Sequence, residues 1–163
     1  MFFDVFLKIE GIPGDSNCGK HPEWMRLLSY RFGVQQPASL TVSSAGGTIA
    51  EPADFTPFCI KKAVDKASPK LFEACLTRRI IKEMVMELCF PTGAKEKFME
   101  LRMENALICS YYHDGGGSDS SVEDIYFVPA KISMIYCQRT DEDGNVYVDS
   151  VSTGWDLLEN KVI

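Results

Sequence analysis

The chain has 163 residues, 45% of them hydrophobic and 25% charged, the proportions of an ordinary folded domain with one core and no need of disulfide or metal staples. Its 17 Lys and Arg against 23 Asp and Glu give a formal net charge of -6, the wrong sign for a surface that neutralises phosphates, so nucleic acid is not expected as a partner. No apolar run approaches the roughly 18 residues of a membrane span, and Asp4 and Lys8 interrupt the apolar opening that a signal peptide would need.

Taken in order, the chain alternates with period 2 far more often than with period 3.6, so strands are expected to dominate. Phe3, Val5, Leu7 and Ile9 share one face of a first strand, which Gly11-Ile12-Pro13-Gly14 ends. A second strand is read from Glu23 to Val34, with Leu28, Tyr30, Phe32 and Val34 on one side. Met84, Met86, Leu88 and Phe90 alternate up to the Pro91-Thr92-Gly93 turn, and Met99, Leu101 and Met103 return as a hairpin partner. Ala130, Ile132, Met134 and Tyr136 form another such face, followed by an Asp143-Gly144 turn and a return through Val146, Val148 and Val151. One segment departs from this pattern: Leu71, Phe72, Cys75, Leu76 and Ile80 recur at helical spacing. Ser68 is placed to cap this helix, Pro69 suits its first turn, and Arg78-Arg79 complement its negative end. Several antiparallel strands with one short helix predict a barrel or a sandwich, the helix covering an open end or edge.

Three stretches read as loops: Gly11 to Pro22, Gln35 to Asp54, and His113 to Ser121. The second is the most informative, because no charged residue occurs from Phe32 to Ala50, while Leu40-Thr41-Val42 and Thr48-Ile49 favour extended pairing. Two readings stay open for it: a Gly/Ser-rich connector, or an extended arm that pairs with a neighbouring subunit by strand addition. On the second reading the contact residues are Leu40, Thr41, Val42, Thr48 and Ile49, with Phe55 where the next strand begins.

Few residues point to chemistry. Gly14-Asp15-Ser16-Asn17-Cys18-Gly19-Lys20 fits the phosphate-cradling G-x-x-x-x-G-K loop, but His21 stands where a magnesium-binding hydroxyl is needed, and the parallel sheet with crossover helices is missing. A P-loop nucleotide-binding enzyme is thus a weak alternative. Asp141-Glu142-Asp143-Gly144-Asn145 fails as a calcium loop, since alignment on Gly144 puts Arg139 at the first ligand position. The two histidines, His21 and His113, lie in polar segments and are read as solvated, and a Cys/His metal site would require distant cysteines to converge. Glu83, Glu87 and Glu100 read as solvated strand faces, Trp24 and Tyr111-Tyr112 as packing aromatics, and the six dispersed cysteines as mostly buried thiols of a reducing compartment. A stand-alone barrel with an apolar ligand in its mouth is the other alternative. No catalytic, cofactor or metal site is expected.

A family resemblance sharpens this picture. The opening Phe3-Asp4-Val5-Phe6-Leu7-Lys8-Ile9-Glu10-Gly11-Ile12 resembles the start of the haemolysin-coregulated protein (Hcp) family, the tube subunit of bacterial type VI secretion systems. His21 with Leu27-Leu28-Ser29-Tyr30-Arg31-Phe32-Gly33 resembles that family's second strand, and Asp65-Lys66-Ala67-Ser68-Pro69-Lys70-Leu71-Phe72 its helix start. Val122 to Phe127, the Asp141–Asn145 turn, Gly154-Trp155-Asp156 and Asn160-Lys161 continue the likeness in order. The segment from Gln35 to Asp54 departs from it, as do Pro57 and the number of cysteines, which keeps a related contractile-injection tube protein open.

The resemblance implies one tube domain over residues 1–163, an antiparallel β-barrel of two sheets with a short flanking α-helix, as in phage tail tubes. It implies a structural subunit, not an enzyme, forming six-membered rings that stack into the inner tube and carry or chaperone effectors. A tip (spike) protein, a contractile sheath and effector proteins are the implied partners. The subunit would be made in the bacterial cytoplasm and expelled by the machine without a signal peptide.

Overall fold

The computed structural model describes residues 2–37, 52–140 and 147–163. Strand β1 (Asp4–Ile9) runs antiparallel to both β4 (Met25–Leu27) and β9 (Ile81–Cys89), so Leu7 lies opposite Met25 on one side and Met86 on the other. Val5, Leu7 and Ile9 face the core as their alternation predicts, whereas Phe3, expected on the same face, precedes the strand and is exposed. Phe6, on the opposite face, is buried as well, because the short hairpin of β2 (Asn17–Cys18) and β3 (His21–Pro22) lies over it.

The hairpin of β9 with β10 (Lys97–Gly116) forms as expected, with Met86 opposite Leu101 and Met84 opposite Met103. Strand β10 is 20 residues long and serves two sheets. Up to Glu104 it lies between β9 and β12 (Lys131–Thr140), whereas from Leu107 it pairs with β11 (Asp119–Val128). Asn105 sits at the changeover with φ 50°, a left-handed conformation that asparagine tolerates better than most side chains. That one kinked residue lets a continuous strand turn from one sheet into the other.

Beyond β12 the first sheet continues through β13 (Tyr147–Asp156) to β14 (Lys161–Val162). The second continues from β11 through β8 (Phe58–Ala63) to β5 (Ser29–Arg31). Only Leu28 separates β4 of the first sheet from β5 of the second, so the sheets meet at a second corner there. A small separate hairpin joins β6 (Val34–Gln35) to β7 (Asp54–Phe55). The mainly antiparallel β class with one short helix is therefore the one the sequence predicts. Leu7, Met25, Ile60, Leu71, Met86 and Phe127, drawn from both sheets and the helix, have essentially no exposure and mark the core between them.

Several local expectations are corrected. The strand read from Glu23 to Val34 is broken: Met25 and Leu27 point inward, Leu28 turns out at 61% exposure, and Tyr30 and Phe32 then pack against the core. The odd-to-even change follows from the corner at Leu28, whose N–H donates to Lys61 O across the second sheet. The stretch from His113 to Ser121 continues the β10–β11 hairpin instead of forming a loop. Helix α1 (Ser68–Thr77) ends before Ile80 and turns only part of the expected stripe inward: Leu71 is buried with Ala74 and Ala67, Cys75 packs half-buried against the core, and Phe72 and Leu76 are exposed. Its cap is Ala67, not Ser68, and Arg78 follows the last turn in the left-handed conformation. All six thiols are free, but only Cys89 is buried; Cys18, Cys59, Cys75 and Cys137 are half-buried and Cys109 is exposed.

Candidate functional site

Of the residues singled out as interface candidates, one belongs to the β6–β7 hairpin. Leu40, Thr41, Val42, Thr48 and Ile49 lie outside the described residues. Phe55 is described: it pairs with Val34, on the other side of the charge-free segment in sequence, and is half-buried. From there it lines an apolar groove of about 350 Å³ with Phe32, Val34, Ile132, Met134 and Trp155. The indole N–H of Trp155 is buried and has no acceptor among the described residues.

Open backbone borders complete this surface. Among the described strands, β14 ends the first sheet and β5 the second, and each pairs on one side only. Exposed apolar side chains accompany these borders: Val151, Leu158, Val162 and Ile163 around β13 and β14, and Phe3 and Leu28 near β5. Such groupings mark contact surfaces more often than solvent-facing ones.

Sequence reading missed two interior polar clusters. In the first, cross-strand neighbours Lys62 and Glu123 are both wholly buried. Lys62 Nζ donates to Glu123 Oε1 (2.5 Å), Asp65 Oδ1 (2.8 Å) and Ala63 O (2.9 Å), which uses all three ammonium protons. Ser68 Oγ (3.0 Å) and Tyr111 Oη (2.5 Å) donate to the two oxygens of Glu123. Asp65 also accepts from Ala67 N at 2.9 Å, and Asp65 N donates to Ser68 Oγ at 3.0 Å. The Asp65-Lys66-Ala67-Ser68-Pro69 motif is thus the device that seats α1 against β8 and β11. Burial, reinforced by the Glu123 carboxylate, pushes the Tyr111 phenol well above its usual range.

The second cluster surrounds His21, which is buried at 2% exposure and not solvated as its polar neighbourhood suggests. Its ring stacks on Phe6 (centroids 4.2 Å, 2°) and meets the edge of Trp24 at 4.8 Å. Nε2 is 2.7 Å from Glu87 Oε2 and 3.8 Å from Cys89 Sγ, and Nδ1 is 3.6 Å from Cys18 Sγ. Burial, with the Glu87 carboxylate beside it, pushes the Cys89 thiol up to about 11. Glu87 and Glu100 are accordingly not simple solvated carboxylates: Lys97 bonds to both, and Arg102 donates to Glu100 at 3.0 Å.

The G-x-x-x-x-G-K stretch builds this hairpin. Gly14 is required by packing, since a Cβ there would stand 2.6 Å from Trp24 O, and Gly14 N donates to Glu23 O at 2.7 Å. The chain after Lys20 enters β3 rather than a helix, so the strand-to-helix setting of a phosphate loop does not form.

Comparison with known proteins places this architecture. The family described as "Type VI secretion system effector, Hcp" matches residues 6–136. No curated protein matches. The chain is similar to a solved type six secretion system protein, 25% identical, with a TM-score of 0.88 over 99% of this chain and all of that one. It is also similar to Hcp1 from Salmonella typhimurium, at 22% identity and a TM-score of 0.79 over the whole of both chains. A type VI secretion system effector from Yersinia pestis is 23% identical, with a TM-score of 0.73 over 94% of this chain and all of that one.

Proposed function

From the premise that this chain belongs to the Hcp family of type VI secretion, as a structural protein associated with the tube and its effectors, we propose that it forms six-membered rings. Those rings stack as the inner tube and enclose small effector proteins. The observation that carries the reading is the coincidence, at one place, of the charge-free arm, the exposed Val34 and half-buried Phe55 at its base, and the apolar groove beside them. A ring needs a heterologous contact, one patch meeting a different patch on the next copy. An arm laid along the open border of a neighbour supplies it, because the neighbour's unpaired N–H and C=O groups are completed by the arm's own.

On this reading Leu40, Thr41, Val42, Thr48, Ile49 and Phe55 are contact residues. The mechanism is mechanical: thrust passes through subunit interfaces to a tip protein inside a contractile sheath, and no bond chemistry is required. The subunit would start in the bacterial cytoplasm, since it is the machine that exports it.

The test is light scattering with negative-stain imaging of the purified protein across a wide concentration range. Annular particles of six times the chain mass, gaining population with concentration, support the proposal. A monomer throughout, up to the highest attainable concentration, overturns it.

A further inference from the structure

We propose that His21, Glu87 and Cys89 form a binding site for a divalent transition metal ion of zinc-like softness. This goes beyond the tube reading, because the site lies within one chain and needs no neighbour. The three donors, Nε2, a carboxylate oxygen and Sγ, all lie within 4.8 Å of one another. An imidazole, a carboxylate and a thiolate together are the donor mixture that zinc accepts, whereas magnesium and calcium prefer oxygen alone.

The two separations from Nε2 lie near those such an ion needs. Bonds of about 2.0–2.3 Å to N, O and S, arranged tetrahedrally, hold ligand atoms about 3.3–3.7 Å apart. The Nε2 to Sγ separation of 3.8 Å is already close to that spread. The Nε2 to Oε2 separation of 2.7 Å must open by under about 1 Å, which a χ rotation of Glu87, 17% exposed at its side chain, supplies.

The donors are also held in place beforehand. Glu87 and Cys89 are two residues apart on β9 and so project from one face of that strand. His21 is clamped between Phe6 and Trp24. Its other nitrogen lies 3.6 Å from Cys18 Sγ, a weak hydrogen-bonding contact that leaves Nε2 turned toward Glu87 and Cys89.

Binding forms three bonds, metal to Nε2, to a Glu87 oxygen and to Cys89 Sγ. The Cys89 thiol proton and any proton shared by His21 and Glu87 pass to solvent. Thiolate and carboxylate offset the ion's two charges. A fourth coordination position is left for water. The effect on the fold is a clamp between the β2–β3 hairpin and β9, segments more than sixty residues apart in sequence.

The 163-residue chain, stripped with a chelator, is titrated with zinc by calorimetry and with cobalt by absorption. The expected result is one ion per chain, a sulfur-to-cobalt charge-transfer band, and a thermal midpoint that rises with zinc. Cys89→Ser should abolish the band and weaken zinc binding at least about tenfold, while the exposed Cys109→Ser keeps the band. Circular dichroism checks that each variant is folded. If Cys89→Ser does not fold, Glu87→Gln must show the same weakening. No stoichiometric ion, a band that survives Cys89→Ser, or a band lost with the exposed Cys109 would each overturn the site and leave His21–Glu87 a plain hydrogen bond. None of these outcomes depends on ring formation, so failure here is distinguishable from failure of the tube proposal.

Discussion

At Lys62 the fold contains an ammonium group with no exposure at all, tolerated only because Glu123, Asp65 and Ala63 take its three protons. A buried charge that loses its partner is left with an uncompensated desolvation cost of about 3–5 kcal/mol. Glu123→Ala is therefore expected to lower unfolding free energy in urea by that amount; a loss under about 1 kcal/mol would mean that water reaches the cluster. Acid sensitivity belongs to other carboxylates. Hydrogen bonding from Lys95 comes first in holding Asp4 below its usual range, with help from Arg26 against the opposing effect of burial. Burial by itself would raise Glu100, but Lys97 and Arg102 outweigh it and hold that carboxyl low as well. A depressed folded-state pKa contributes stability that is fully present above the unfolded value and is lost as pH falls through the folded one. Stability should thus fall as pH drops below about 4, and Glu100→Gln should flatten that slope in denaturation curves between neutral and acid pH. For thiols the order follows exposure: a disulfide reagent at mildly alkaline pH should label Cys109 first and Cys89 only on unfolding, as read by mass spectrometry of timed samples.

At the level of elements, α1 shows how an apolar stripe read at helical spacing can hold only in part, with Leu71 and Cys75 turned to the core and the rest outward. Phe72 and Leu76 belong to the stripe, yet the buried ridge is Ala67, Leu71 and Ala74. The helix is rotated by its N-terminal anchor, Ser68 to Glu123 and Asp65 to Lys62, which fixes small residues toward the sheet. Leu71→Ala should cost about 2–5 kcal/mol in a denaturation series, whereas Leu76→Ala should stay within about 0.5 kcal/mol. Equal effects of the two would mean that the helix packs through the face the sequence suggests. A second element, β10, buries Leu101 and Met103 before Asn105 and Ala106 and Ile108 after it, and this change of phase at a left-handed residue is where its two halves part to different sheets.

For the whole molecule, the proposed contacts are concentrated where the chain has no charge to desolvate. Removal of residues 38 to 50 should weaken ring formation while the circular dichroism spectrum and urea midpoint of the two-sheet body stay unchanged. An unaltered particle mass on sizing with light scattering would take the arm out of the interface. Phe55→Ser is expected to weaken the ring less than the deletion does, since it removes one side chain at the arm's base and leaves the backbone pairing possible.

Much of this protein is written locally. Period-2 alternation set the strand-rich class, the β9–β10 hairpin and the inward faces of β1, because burying one side of a pleated strand requires nothing beyond neighbouring residues. The Asp65–Phe72 motif and its companions along the chain likewise carry the family in the sequence itself. What tertiary structure alone decided are the long-range meetings: Lys62 with Glu123, His21 with Glu87 and Cys89, the rotation of α1 and the corner at Leu28. Each joins residues whose separation along the chain carries no periodic signal, or turns on which of two faces a neighbouring element covers. The partners that neutralise a buried charge exist only once the sheets have closed over it.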